Sequence, residues 1–349
     1  EKTIFEYEDI KGEALAVPVS NINPYLVDAP DLVLEKRNQP ICIVPTISYG
    51  SMANDDGHLL LDKEQRNALI AAEPATAPYI RRYMGAQEFL NNAERWCLWL
   101  KDISPSLMRS SNELRHRIEA VRKFRASSNR EATRNLAATP SLFGEDRQPL
   151  KSYLLLPKVS SENRPYMPIG FMPSEVIANG SALTISDSGH YEMGVLQSKM
   201  HMAWMRAVAG RMKSDYQYSA QIVYNNFPWP DLPEKLEPNQ PQTPTHKAQA
   251  AIEKAAQAVL DARAQFPGSS LADLYDPLTM PPALLKAHQK LDAAVDAAYA
   301  LVGGKKTWKN DAERVAFLFE RYQHLTSLLP AVKGKGKEKT KGKAGRKQA

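Results

Sequence analysis

GRMKSDYQYSAQIVYNNFPWP, residues Gly210 to Pro230, is the stretch around which the chain is read. A glycine stops a helical pattern, polar and aromatic residues then alternate, and an aromatic–proline cluster closes the segment. Alternation at period two predicts a strand delivered to an exposed edge. Lys213 and Asp215 stand two apart, so such a strand carries both on one face. A donor beside an acceptor suits a partner whose edge offers both.

Immediately upstream, Tyr191 to Ala209 reads as a buried helix with Met193, Leu196, Met200, Trp204 and Val208 along one side. A methionine stripe at this spacing is core material. Leu183 to Ile185 is a short strand, and Leu154 to Leu156 and Ile169 to Met172 are strands flanking the loop PKVSSENRPYMP. Ser160, Ser161 and Arg164 give that loop a polar cluster that either touches a phosphate or shapes a turn.

Ser104 to Thr139 turns helical, with Ser104 as N-cap and Pro105 at the first helical position. Leu114, Ile118, Val121 and Phe124 form its apolar stripe. Lys101, Arg109, Arg115, Arg117, Arg122, Lys123, Arg125, Arg130 and Arg134 stand against Asp102, Glu113, Glu119 and Glu131, the one dense basic patch outside the C-terminus. A solvated helix face and a phosphate grip assisted by Ser127, Ser128 and Asn129 both fit it.

Nearer the N-terminus, Ile41 to Val44 reads as a strand, Asn54-Asp55-Asp56-Gly57 as a turn and His58 to Leu61 as a further strand. Asp62 caps a helix over Lys63 to Ala72, Arg81 and Arg82 precede a loop, and Trp96 to Leu100 is a buried strand. Residues 1–39 read as a connector from an upstream domain. Its Asn23-Pro24-Tyr25 triplet is one proline short of an amino-methyltransferase base-holding loop. Past Trp229 a proline-rich linker leads to an alanine-rich helix over Ala248 to Gln265. A second follows from Ala283 to Leu301, introduced by Pro282 and stopped at Gly303-Gly304, and a third is capped by Asn310. The expected fold is therefore α+β: a mixed-sheet domain with a long basic helix over residues 40–235, then a helical region over 236–330. Residues 331–349 are low in complexity and read as a disordered basic tail.

The 349 residues carry a net charge of +6. Eight lysines and arginines against Glu338 lie in the tail, so the body is close to neutral and only the placement of its charges is informative. Cys42 and Cys97 read as free thiols in a reducing compartment. No apolar run reaches membrane-spanning length, so no membrane partner and a cytoplasmic location are expected. The chain has no GxGxxG, GxxxxGK[ST] or GxSxG, and its histidines and cysteines do not stand at metal-ligand spacing. Neither a catalytic group nor a metal site is therefore nominated.

INPYLVDAP, FRASSNREATRNLAATPSLF, PKVSSENRPYMPIGF, the Gly210–Pro230 stretch and SLADLYDPLTMPPALLKAHQKLDAAVDAAYA together resemble the C-terminal half of MmeI-like type IIL restriction–modification enzymes. YNNFPWP followed by LYDPLTMPP is the most specific pair of markers. The resemblance implies a double-stranded DNA target-recognition domain of an N6-adenine methyltransferase, with a helical C-terminal region. The methyltransferase domain and its S-adenosylmethionine would lie upstream, with no cofactor in these residues. It places base-reading side chains at Lys213 and Asp215, with Gln217 beside them. A lysine suits guanine O6 and N7, and an aspartate suits the cytosine N4 donor, so the pair favours G·C. Phosphate contact is expected from Arg81, Arg82, Arg122, Arg125, Ser127, Ser128, Arg130, Arg134, Arg164, Arg211 and Ser219. The competing expectation is a protein-interaction module whose only DNA affinity is nonspecific and comes from the tail.

Overall fold

The computed structural model describes residues 2–7, 12–231 and 241–327. The tail over 331–349 lies outside them. β1 (Lys2–Glu6) and β2 (Leu15–Val19) form an antiparallel hairpin that leaves Phe5 and Leu15 exposed. The Asn-Pro-Tyr triplet that follows is a turn, since Asn23 Oδ1 accepts from the N–H groups of Tyr25 and Val27 at 2.9 and 3.2 Å. Val27, Ala29 and Leu34 then enter the main core, so the expected connector carries packing residues.

Ile41 to Val44 does not form a strand. Pro40 and Pro45 bracket it, and proline has no N–H to give a ladder. Pairing begins instead at β3 (Ile47–Tyr49). The Asn54–Gly57 turn is real: Asn54, Asp56 and Gly57 have φ of 50, 53 and 84°. It returns the chain into β4 (Leu60–Leu61), after which Asp62 accepts from Gln65 N–H at 2.8 Å and opens α1 (Lys63–Ala72). β5 (Ile80–Met84), α2 (Ala86–Asn91) and β6 (Trp96–Leu98) follow. Arg81 and Arg82 lie inside β5, opposite Cys97 and Trp96, and not ahead of a loop.

The basic helical stretch comes in pieces. Ser104 caps α3 (Pro105–Ser110), and Ser111 then accepts from Leu114 N–H at 3.0 Å to open α4 (Asn112–Ala126). A sharp turn leads to α5 (Glu131–Asn135). Leu114, Ile118 and Val121 of α4 pack with Leu59, Leu61, Trp96 and Leu98 in a core of their own.

The remaining strands are β7 (Tyr153–Pro157), β8 (Val159–Ser160), β9 (Gly170–Met172), β10 (Ile177–Ala178) and β11 (Ala182–Ser186). An antiparallel sheet runs β3-β11-β7-β9, and a second sheet runs β10-β5-β6-β4. The pleat of β7 sends Leu154 and Leu156 into the main core and Tyr153 and Leu155 into a smaller one with Phe89. Both faces are covered, which is why this strand is continuously apolar instead of alternating.

The helix expected over Tyr191 to Ala209 is two, α6 (His190–Leu196) and α7 (Lys199–Val208), because Ser198 caps the second with a bond from His201 N–H. Next come β12 (Gly210–Met212) and β13 (Asp215–Gln217), and then α8 (Pro244–Ala264), α9 (Leu271–Leu274), α10 (Pro282–Ala300) and α11 (Asp311–Ser327). Met193, Met200 and Trp204 share one core with Ile252 of α8, Leu291 of α10 and Phe319 of α11. Packing is tight enough that a Cβ on Gly194 would meet Ile252 Cγ2 at 2.7 Å. The mixed α+β architecture is as expected, and the C-terminal helices form the floor on which the Gly210–Pro230 stretch is mounted.

Candidate functional site

Gly210 pairs with Gln217, Arg211 with Tyr216 and Met212 with Asp215, which leaves Lys213 and Ser214 as a two-residue turn. The single strand face expected for Lys213 and Asp215 is therefore replaced by a hairpin. Lys213 stands at its tip with φ 57°, the left-handed backbone that two-residue hairpin turns require at their first position. No glycine marks the reversal, so period-two alternation ran on through it. Lys213 is exposed and makes no hydrogen bond or ion pair with any described residue. Asp215 and Gln217, two apart on β13, do share a face, and both are half-buried.

Tyr216 points the other way and is buried. Arg211 lies over its ring with the guanidinium carbon 3.9 Å from the centroid. The same side chain donates to the Ser214 carbonyl at 2.6 Å and pairs with Glu162 at 3.4 Å. β13 continues into a third strand, because Tyr216 and Gln217 pair with Ser160 and Val159 of β8. The hairpin and the PKVSSENRPYMP loop are thus one surface. Arg164 is half-buried there; burial lowers its pKa, and the charges of Asp215 and Asp276 act against that fall. Lys158, the residue before β8, has its ammonium 5.3 Å over the Tyr49 ring.

The inner end of the segment serves the scaffold. Tyr218 is buried and its hydroxyl meets His201 Nε2 at 3.0 Å. Burial pushes the His201 pKa down to about 3 and the Tyr218 hydroxyl well up. Ser219, expected at a phosphate, instead accepts from Ile222 N–H at 3.2 Å and caps a single π turn over Ala220–Tyr224.

Arg125 requires the largest correction. Expected on the exposed basic face, it is 0% exposed. Its guanidinium donates to five main-chain carbonyls, those of Ala53, Asn54, Leu136, Thr139 and Leu142, at 2.7–3.0 Å. It ties the Asn54 turn to the chain beyond α5 and has no donor left for a ligand. Around it the other expected residues do reach the surface. Arg122 pairs with Glu119 at 3.7 Å, Arg134 donates to the Ser128 carbonyl at 2.9 Å, and Arg130 is exposed. Ser127 donates to the Phe124 carbonyl, and Ser128 accepts from Arg130 N–H, so both shape the turn between α4 and α5. An open cleft of about 590 Å³ lies between that turn and the Asn54 turn, lined by Asp56, Arg95, Phe124, Ser128 and Arg130. Arg82 packs over Trp96 at 5.5 Å and pairs with Glu94 at 3.7 Å, while Arg81 is half-buried on the opposite face of β5.

Tyr49, Lys158 and Glu162 were not foreseen at the hairpin. The pairing of β8 with β13 brings Lys158 and Glu162, which flank β8, beside it, and Tyr49 of β3 follows through its contact with Lys158; a strand of two residues leaves no periodic signal in sequence.

Residues 28–231 match the family profile described as "MmeI, target recognition domain", and residues 244–330 match "MmeI, C-terminal domain". The chain is 37% identical over 308 residues to DNA methyltransferase A of Bacillus subtilis (strain 168), covering 88% of this chain and 33% of that protein. It also superposes with a TM-score of 0.82 and 46% identity on a structure titled as the type IIL restriction–modification enzyme MmeI in complex with DNA. That alignment covers 94% of this chain and 42% of the solved one, so the chain spans well under half the length of these relatives.

Proposed function

The chain belongs to the MmeI family, and on that premise we propose that it is the sequence-reading part of a restriction–modification DNA methyltransferase. One observation carries the reading: the matched recognition region presents an exposed two-residue tip whose Lys213 has no partner within the described residues. A cation left unpaired at the tip of a hairpin paired to a third strand is available to a base edge. Lys213 suits the O6 and N7 acceptors of guanine, and Asp215, across the turn, suits the N4 donor of the paired cytosine. Gln217 extends the same face of β13. Arg122, Arg130 and Arg134, with Ser127 and Ser128 shaping their turn, would meet phosphates, and Arg81, Arg82 and Arg164 are further candidates. Such contacts set affinity and its salt dependence while the tip sets sequence choice.

The reaction we assign to the longer enzyme is methyl transfer to adenine N6. S-adenosylmethionine would supply the methyl group from a domain outside these residues, and this chain's own part is to bind and orient the duplex. The test is the double substitution Lys213→Glu with Asp215→Arg in the full-length enzyme, followed by mapping of methylated sites. A changed base pair at one position of the site is the expected result. Methylation of the original site at unchanged efficiency removes the assignment.

A further inference from the structure

We propose that Arg211 is a positioning residue that fixes the turn carrying Lys213, and that it is not itself a phosphate ligand. This rests on the base-reading function proposed above. A lysine discriminates between bases only if its Cα is held, because the side chain has four rotatable bonds with which to reach a wrong acceptor. Lys213 is held in left-handed backbone that a residue with a Cβ does not favour, and without a glycine to ease it. Arg211 supplies the constraint. It donates to the carbonyl of Ser214, the residue next to Lys213, at 2.6 Å, and its guanidinium carbon lies 3.9 Å from the centre of the Tyr216 ring.

Tyr216 is in turn anchored. It is buried and paired with Ser160 of β8, so a continuous line of contacts runs from the core through Tyr216 and Arg211 to the tip. Charge argues in the same direction. Glu162 stands 3.4 Å from the guanidinium, where its carboxylate neutralises Arg211 and repels an approaching phosphate. Arg130, by contrast, has no ion pair with any described residue.

The test uses the full-length enzyme with Arg211→Ala and Arg211→Lys. Methylation kcat/KM is measured on the cognate duplex and on duplexes changed at each position, and binding is measured across a range of salt. Both variants should lose about tenfold in discrimination at the one base pair that responds to the Lys213/Asp215 exchange, with other positions intact. The salt slope should not change. Lysine should not rescue, because an ammonium keeps the charge but neither stacks nor forks as a guanidinium does. A salt slope reduced by about one in Arg211→Ala and restored in Arg211→Lys, with discrimination intact, would make Arg211 a phosphate ligand and overturn the proposal. Unchanged discrimination and slope, or equal loss at every position, would overturn it too. If the Lys213/Asp215 exchange moves no preference, the base-reading function fails and takes this role with it. If the exchange moves a preference and the Arg211 variants do not, only the positioning role fails.

Discussion

Arg125 in α4 and Arg211 in the β12–β13 hairpin put the same guanidinium to opposite uses. The first is enclosed and donates to five carbonyls, of which those of Ala53, Leu136 and Thr139 also accept a main-chain N–H. The second lies on the surface, braced on a ring and a turn. The contrast teaches that a count of basic residues along a helix says nothing about which of them can meet a ligand. Substitution should separate the two regions. Arg125→Ala leaves the Asn54 and Leu142 carbonyls without a donor, strips one bond from three others and should cost about 4 kcal/mol of stability, read from the urea midpoint of unfolding. Arg125→Lys should recover little, since one ammonium cannot reach carbonyls on both sides of a planar fork. A wild-type midpoint with weakened duplex binding would place Arg125 functionally on the surface and dissolve the contrast.

The floor beneath the hairpin should be the next most sensitive region, and its signature is pH. Asp292 of α10 accepts from Tyr166 hydroxyl at 2.6 Å and from Lys199 N–H at 2.7 Å, and burial raises its pKa to about 6. A carboxyl whose folded pKa is raised contributes stability that is complete below its unfolded value and lost as pH rises through the folded one. Between pH of about 4 and 6 the native chain should therefore lose roughly 2–3 kcal/mol relative to Asp292→Asn. Unfolding curves for the two proteins that stay parallel across this range would contradict it. On the inner side of the hairpin, Tyr218→Phe removes the partner of His201 Nε2, whose Nδ1 is already unpartnered among the described residues. That should cost about 2 kcal/mol, again by urea unfolding, while base preference stays as it was.

Much of this was legible. Asp62 and Ser104 announce helix starts because a short polar side chain before an apolar pattern satisfies open N–H groups, and both do so. The Asn54 turn and the Pro282 start follow from equally local chemistry. Arg125 was legible in principle. It stands four residues after Val121, Val121 stands three after Ile118, and Ile118 stands four after Leu114, so strict spacing puts it on the buried stripe. The apolar character of Phe124 drew the stripe one residue aside, yet Phe124 is 36% exposed. The hairpin was not legible. Its turn has a lysine at positive φ where local rules ask for glycine or asparagine, and its third strand comes from a distant loop. Both are settled by tertiary contacts.

The smallest expected effects fall on the exposed arginines of the α4–α5 turn, and they bear most directly on the contrast. Arg130 has no hydrogen-bond partner for its side chain among the described residues, and Arg134 donates one bond to the Ser128 carbonyl. Neither holds buried structure, so Arg130→Ala and Arg134→Ala should each change stability by less than about 0.5 kcal/mol. If they meet phosphates, each should lower the slope of log K against log salt by about one and weaken all duplex sequences alike. A titration of each variant against cognate and random duplexes at several salt concentrations reads both quantities. Unequal loss on the two duplexes would mean that the α4–α5 turn reads sequence, the role proposed for the hairpin. An unchanged slope would mean that its arginines are a solvated face. In either case the division between a gripping lobe and a reading tip would have to be redrawn, while the assignment of Arg125 to the interior would stand.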